Sequence, residues 1–460
     1  MRTRFTWIAA IFGLVAFGFL VACSTKYSSS SNGLIVVPSN GYGVMETFSL
    51  DLSNGHVSQI NNVNGPPTLG VPGAVILDPA GAFAYVATTE NCVPPNLPAN
   101  SSLTAVQGAI VTYKIGSDGK LAAGSTNYVK GNPAYPSTFP TCGLDDATNP
   151  NGGNQVSAMA IDSTGKFLFA ATTQTTATYT IDLNTTPIST VATLNSVGIA
   201  VYAIGSNASL TEVPGSPFSL PAEPGGGGSP SASALAVTPT FYPVQFAPCS
   251  TFAPPTFIAP ATEYLYVTDS VNNVVLNYSV SSSGALALVP FSTASAGATT
   301  GTAPAGVAVD PCNRFVFVSN ATSNSVSAYT ICNAVSQSCQ VPNYSLQEVS
   351  GSPYPAGDGP GPIAVYPFGN FVYVVDTGSS QLSGYRVSPS NGSLTVLAAS
   401  PVATNLGANA IAIRNDGNWI FVSNFTSSNV SQYAITPATG TLTSISPFIT
   451  LNNPTGIAVK

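Results

Sequence analysis

Residues 304–331 read PAGVAVDPCNRFVFVSNATSNSVSAYTI, and the punctuation of this stretch decides the fold. An apolar run, Val307-Ala308-Val309, meets a tight turn at Asp310-Pro311-Cys312-Asn313. A second run, Phe315-Val316-Phe317-Val318, ends at Asn320, and a polar turn leads into the alternating Val326-Ser327-Ala328-Tyr329-Thr330-Ile331. Short β-branched and aromatic runs bounded by Asp, Pro, Gly and Asn are strands joined by turns. The branched side chains suit a pleated surface, and the bounding residues suit turn dihedrals.

The unit recurs. Its first strand returns as Val75-Ile76-Leu77, Met159-Ala160-Ile161, Leu235-Ala236-Val237, Ile363-Ala364-Val365, Ile411-Ala412-Ile413 and Ile457-Ala458-Val459, which with Val307 makes seven copies. Its second strand also occurs seven times, at 34–37, 83–87, 167–171, 264–268, 315–319, 371–375 and 419–423. Ile363, Ile411 and Ile457 are 48 and 46 residues apart, and upstream the steps lengthen to between 56 and 84. A four-stranded unit repeating every ~40–50 residues marks a β-propeller blade. The expected fold is therefore all-β, a seven-bladed β-propeller over residues 34–460. The sequence starts on a second strand, Leu34 to Val37, and finishes on a first strand, Ile457 to Val459. Pairing of these two orphans should complete one blade and close the ring, which removes exposed sheet edges.

Only 6% of residues are charged, with 42 Gly, 38 Pro and a formal net charge of −7. That balance excludes a basic nucleic-acid-binding surface. The 44% apolar content supplies a sizeable core. Residues 1–22 have the form of a signal segment: Arg2 and Arg4, an apolar run from Ile8 to Phe19, then Leu20-Val21-Ala22-Cys23. This ending resembles the lipobox of bacterial lipoproteins, which implies cleavage before Cys23 and its acylation. Ser24 at the following position resembles lipoproteins retained at the outer membrane. Residues 23–33 then form a Ser-rich tether. The expected location is the bacterial cell envelope, with a monomer held to the membrane through lipidated Cys23.

In a propeller, the second-third loops and the links between blades lie on one face. The first-second and third-fourth turns lie on the other. The long inserts at 88–107, 131–154, 221–229 and 294–302 fall on the first face, which makes it the expected working face. Six cysteines remain after Cys23, an even number suited to an oxidising compartment. Cys92 and Cys142 fall on the working face; Cys249, Cys312, Cys332 and Cys339 fall on the opposite one. If pairs stay on one face, Cys92 pairs with Cys142. Cys332 and Cys339 bracket one hairpin loop, and Cys249 and Cys312 occupy turns of adjacent blades, which suggests the other two bridges.

Units such as GPIAVYPFGNFVYVVDTGSSQLSGYRVSPSNGSLTVL, residues 361–397, resemble the lactonase-type seven-bladed propellers. That family includes bacterial 6-phosphogluconolactonase and fungal muconate cycloisomerase. The resemblance covers residues 34–460 and implies the opening or closing of a sugar-type or small organic lactone. Such chemistry needs a general base and donors for the oxyanion. The sole histidine, His56, falls in an outer turn of the lesser face, as a solvated residue would. Arg314, Lys166 and Arg414 fall beside first-second turns on that same face.

Second strands end in polar residues: Glu90, Asp269, Asn320, Asp376 and Asn424. Asp269 and Asp376 are the candidate catalytic carboxylates, polarising water at the channel mouth, and Glu90, Asn320 and Asn424 are candidate ligand-binding residues. Asn and Asp also start tight turns by bonding their own backbone. Ser216-Pro217-Phe218, Ser352-Pro353-Tyr354 and Ser446-Pro447-Phe448 repeat as well, with aromatics suited to packing between blades or to stacking on sugars. No metal-ligand spacing and no phosphate loop occurs, so no cofactor is expected. Two readings stand: a lactonase, or a non-catalytic propeller that binds a glycan or a protein.

Overall fold

Seven antiparallel sheets follow one another along the chain. The computed structural model describes residues 32–40, 43–60, 71–92, 102–129, 155–173, 175–182, 187–194, 198–223, 228–238, 263–291, 295–332, 344–450 and 452–460. All regular elements among them are strands. In blade five the order is Pro304–Val309, Phe315–Asn320, Ser325–Ile331 and Leu346–Glu348, each strand paired with the next. Blades four, six and seven repeat this order at Ala232–Leu288, Pro360–Val396 and Ala408–Ile449.

The two orphan strands form blade one. Asn32–Ser39 pairs with Ala458–Val459 in the register Ile35↔Val459 and Val36↔Ala458. First strands of successive blades touch all the way round, including Ala458–Val459 against its neighbours on both sides. The ring is held by seven hydrophobic clusters, one per seam, each drawing from two adjacent blades. The seam between blades seven and one contains Ile35, Val37, Trp419, Phe421 and Ile457. This explains the sequence pattern: second strands are apolar on both faces because each is covered by a neighbouring blade on either side.

Aromatics at the start of second strands have a specific seat. Trp419 and Phe371 lie against the third-fourth turn of the next blade, where Gly55 (φ 76°) and Gly440 (φ 76°) sit. A Cβ there would come within 2.3 Å of the Trp419 ring and 2.5 Å of the Phe371 ring, so only glycine fits. Third-strand tyrosines reach back across the seam as well. Tyr385 Oη donates to Pro355 O at 2.7 Å and Tyr433 Oη to Ala403 O at 2.6 Å.

Around the channel the first strands carry a β-bulge at one shared position, and its polar side chain often crosses to the next blade. Ser157 Oγ donates to Ala232 O at 2.9 Å and Ser233 Oγ to Pro304 O at 2.6 Å. Asn409 Nδ2 donates to Pro454 O at 2.9 Å. These bonds tie carbonyls freed by the bulge to the neighbouring blade, as buried backbone acceptors require.

One sequence expectation is corrected here. Residues 88–107 are not simply a loop: second and third strands of blade two extend as Phe83–Cys92 and Ser102–Ile115, with Cys92↔Ala105 in register. The long link in blade three contains a hairpin, Thr175–Asp182 with Pro187–Leu194, that pairs onto this extended strand through Thr178↔Thr104. The Ser-Pro-aromatic repeats are structural. Ser216, Ser352 and Ser400 Oγ accept the backbone N–H of Val201, Ala328 and Gly384 on the third strands, and Phe218, Tyr354 and Val402 pair back onto them. Phe448 packs against Phe48 with ring centroids 4.9 Å apart. The Ser400 copy escaped the sequence pattern because Val402 replaces its aromatic.

Cys312 and Cys332 are buried and each is disulfide-bonded. Cys142, Cys249 and Cys339, the side chain of Cys92, and the segment with Cys23 lie outside the described residues. No helix among the described residues is long and apolar enough to cross a membrane.

Candidate functional site

The polar residues that end second strands occupy one structural position in blades four to seven, and all four are fully buried: Asp269, Asn320, Asp376 and Asn424. Each sits where the strand turns into the second-third loop, whose last residue is left-handed (Asn273, Asn324, Ser380 and Ser428). A short side chain with oxygen acceptors is suited to such a turn because it can take the amides that the ladder leaves behind.

What each does with that position differs. Asp269 Oδ1 accepts from the backbone amides of Ser231 (2.9 Å), Val271 (3.1 Å) and Asn272 (3.3 Å), while Oδ2 accepts from Asn272 Nδ2 at 2.6 Å. Its carboxylate organises the turn and the incoming link from blade three. Asn320 Nδ2 donates to Ser325 Oγ (3.1 Å) and Ser327 Oγ (3.0 Å). Asn424 Nδ2 donates to Asn429 Oδ1 (2.8 Å) and Ser431 Oγ (2.9 Å). The Oδ1 of both asparagines is buried without a protein partner. The sequence reading set these residues around a channel mouth; in the structure all four are buried, and the link that enters the blade passes against Asn320 and Asp376. A Cβ on Gly301 would lie 2.8 Å from Asn320 Cγ, and one on Gly357 would lie 2.5 Å from Asp376 Oδ2.

Asp376 stands apart. Its Oδ2 accepts from Ser383 Oγ at 2.6 Å and its Oδ1 from Gly357 N at 3.2 Å. Burial pushes its pKa up to about 6, against the lowering effect of those two bonds, and the charge of Asp358 adds to the rise. Asp358 is exposed on the link between blades five and six, where Asn324 Nδ2 donates to its Oδ1 at 3.3 Å. Its backbone carbonyl accepts from Gly378 N at 2.9 Å, so the second-third turn of blade six holds this link in place. Composition and strand patterning did not single out Asp358. Its only sequence signal is the Gly357-Asp358-Gly359 setting immediately before a first strand. The carboxyls of Asp376 and Asp358 are thus coupled but differently solvated.

Asp269 and Asp376 are not brought together, because blade five separates them. Glu90 lies within a strand, opposite Gln107, and its side chain is outside the described residues. His56 is exposed, with Ser58 Oγ 3.2 Å from its Nδ1, at the opposite end of blade one. Arg314 is bound to Asp310 at 2.9 Å and Arg414 to Asp416.

A stability test follows from Asp376. Its folded pKa of about 6 lies above the unfolded value of ~3.9, so the folded state binds more protons and stability falls as pH rises from ~4 through ~6. Asp376→Asn keeps an acceptor for Gly357 N and gives Ser383 the donor that Asn320 and Asn424 give their serines. It should be more stable than wild type by about 2 kcal/mol at about pH 7.5 and equal to it near pH 4. Urea unfolding at both pH values measures this. A constant difference across pH would show that Asp376 is not a raised-pKa group.

Residues 256–349 and 334–459 match the family described as lactonase, 7-bladed beta-propeller. No curated protein sequence matches the chain. Among solved structures, a candidate 6-phosphogluconolactonase of Bacteroides fragilis has a TM-score of 0.63 at 14% identity, covering 95% of this chain and 99% of that one. The periplasmic gluconolactonase of Pseudomonas aeruginosa also has a TM-score of 0.63, at 13% identity, covering 93% and 99%. A functionally unknown protein of Desulfotomaculum acetoxidans has a TM-score of 0.54 at 15% identity, covering 93% and 99%. At such identities the likeness is one of fold.

Proposed function

We propose that this lactonase-like seven-bladed β-propeller opens a sugar-type or small organic lactone outside the cytoplasm, anchored to the cell envelope through acylated Cys23. The observation that carries the catalytic reading is the coupled pair of carboxyls in blade six, buried Asp376 with a pKa of about 6 and exposed Asp358 above it. Two carboxyls held in different environments are the usual source of a group that can take a proton near neutral pH. Asp358 meets the attacking water. Asp376, oriented by Ser383 and Gly357, changes its charge near pH 6 and so alters the field at that water. Asp269, the other carboxylate at the same strand position, holds the blade-four turn through its four hydrogen bonds. The family match and the likeness to the periplasmic gluconolactonase of Pseudomonas aeruginosa support a lactone as the substrate class.

The test is ring opening on a panel of lactones. Wild type should show activity that rises with pH through about 6, and Asp358→Asn should lower kcat/KM by about 100-fold, in the range typical of a lost general base. Asp376→Asn should retain the fold and move the pH limb. Unchanged activity in Asp358→Asn would place the chemistry elsewhere. The second reading, a non-catalytic binder of a glycan or protein, is favoured by one observation: the recurring strand-end polar groups are largely consumed within their own blades. Retention of a glycan with no turnover of any lactone would establish that reading instead.

A further inference from the structure

Charge is segregated between the two ends of the blades. Lys166, Arg314 and Arg414 lie in first-second turns and Lys120 in a third-fourth turn. Lys114 and Arg386 pair with Phe83 and Phe371, the first residues of second strands. Lys460 follows the last first strand. These are all the lysines and arginines among the described residues, and every one is on the face opposite the candidate site. There they meet turn carboxylates, as in Lys120 with Asp118 at 3.2 Å and Arg314 with Asp310 at 2.9 Å. The other end, where Asp269, Asp358, Asp376 and Glu223 lie, holds no lysine, arginine or histidine among the described residues. Lys130, next to Val129, is outside them.

We infer that the working face excludes anionic substrates, and that the lactone it opens is uncharged and not phosphorylated. The choice of substrate rests on the lactonase reading above; the sign of the potential at this face does not. Phosphate recognition draws on Arg or Lys, or on a helix N-terminus, and among the described residues this face presents neither. A phosphoryl group carries about −1.5 to −2 charges near neutral pH and would be brought against carboxylates of the same sign. Asp358 is exposed whereas Asp269 and Asp376 are fully buried, so of these three carboxylates it is the one an incoming ligand meets.

Two measurements test this. Thr377, exposed beside Asp376, is replaced by cysteine, and Ser390, exposed in a third-fourth turn, serves as the control on the opposite face. Reaction rates with a cationic and an anionic methanethiosulfonate are compared, corrected for wild type and for a free thiol. At Thr377→Cys the cationic reagent should react faster by roughly fivefold or more at low salt, with the ratio falling toward one as salt screens the face. A ratio at or below one overturns the inference, whatever the chemistry of the protein. Turnover of a neutral aldonolactone should exceed that of its phosphorylated form by about tenfold in kcat/KM, and Thr377→Lys should narrow the gap. Preference for the phosphorylated form overturns the inference while upholding the lactonase reading. A panel that yields no turnover, together with a cationic preference at Thr377→Cys, overturns only the lactonase reading.

Discussion

Removal of residues 457–460 should open the ring and cost about 5 kcal/mol or more, close to the whole stability of many domains. Four residues do this because they are the only first strand of blade one. Ile457 is 6% exposed and belongs to the cluster that joins blade seven to blade one. Its loss alone compares with a large-to-small core substitution, about 2–5 kcal/mol. Lys460 also exchanges both backbone bonds with Leu34, at 2.9 and 3.3 Å, and accepts from Arg414 Nε at 3.2 Å. Deletion leaves Ile35 and Val36 on an open edge that can pair with another chain. Unfolding in urea should lose its sharp transition, and sedimentation should show self-association. A truncated chain that unfolds with the midpoint and slope of wild type would mean that closure contributes little. The milder Ile457→Ala, which keeps the strand backbone, separates lost packing from lost pairing.

Asp269→Ala should cost about 3–4 kcal/mol, more than any other single change at the strand-end positions. The carboxylate serves three backbone amides and one side-chain amide with no exposure to water. Truncation leaves those part-buried donors without their acceptor, and each such group costs about 1–3 kcal/mol where water does not reach it. Asp269→Asn keeps one acceptor oxygen and sets its amide against Asn272 Nδ2, so it should cost about half as much. Denaturant midpoints of the two variants give the order. If alanine proves no worse than asparagine, the turn is held by its backbone alone. The contrast with Asp376→Asn, which should stabilise at neutral pH, is informative. Two aspartates at one structural position have opposite consequences because one has four donors and the other has two plus a neighbouring carboxylate.

The strand-end residues show where sequence reasoning reached its limit. The pattern located Asp269, Asn320, Asp376 and Asn424 at the ends of second strands on one face, since strand position follows from apolar period and turn chemistry alone. It could not say which way they point. That depends on the link arriving from the preceding blade, which passes close enough over Asn320 and Asp376 to require glycine at 301 and 357. Asp358 was missed for the same reason. Its importance comes from proximity to a residue 18 positions later, and the turn that holds it there belongs to the next hairpin.

From the sequence alone came the repeat, its count of seven, the order of strands in a blade and the pairing of the two terminal strands. All of these rest on local hydrophobic period and turn residues, which act within a few positions of one another. Tertiary structure decided the rest. The extended hairpin of blade two recruits a hairpin from blade three, the Ser-Pro repeats fasten third strands, and channel-side serines reach neighbouring carbonyls. In each case a polar group finds a partner supplied by another blade. A buried donor or acceptor must be paired, but its own sequence context does not say by whom. That allocation also made one aspartate of the repeat a turn anchor and left another with a raised pKa beside an exposed carboxylate.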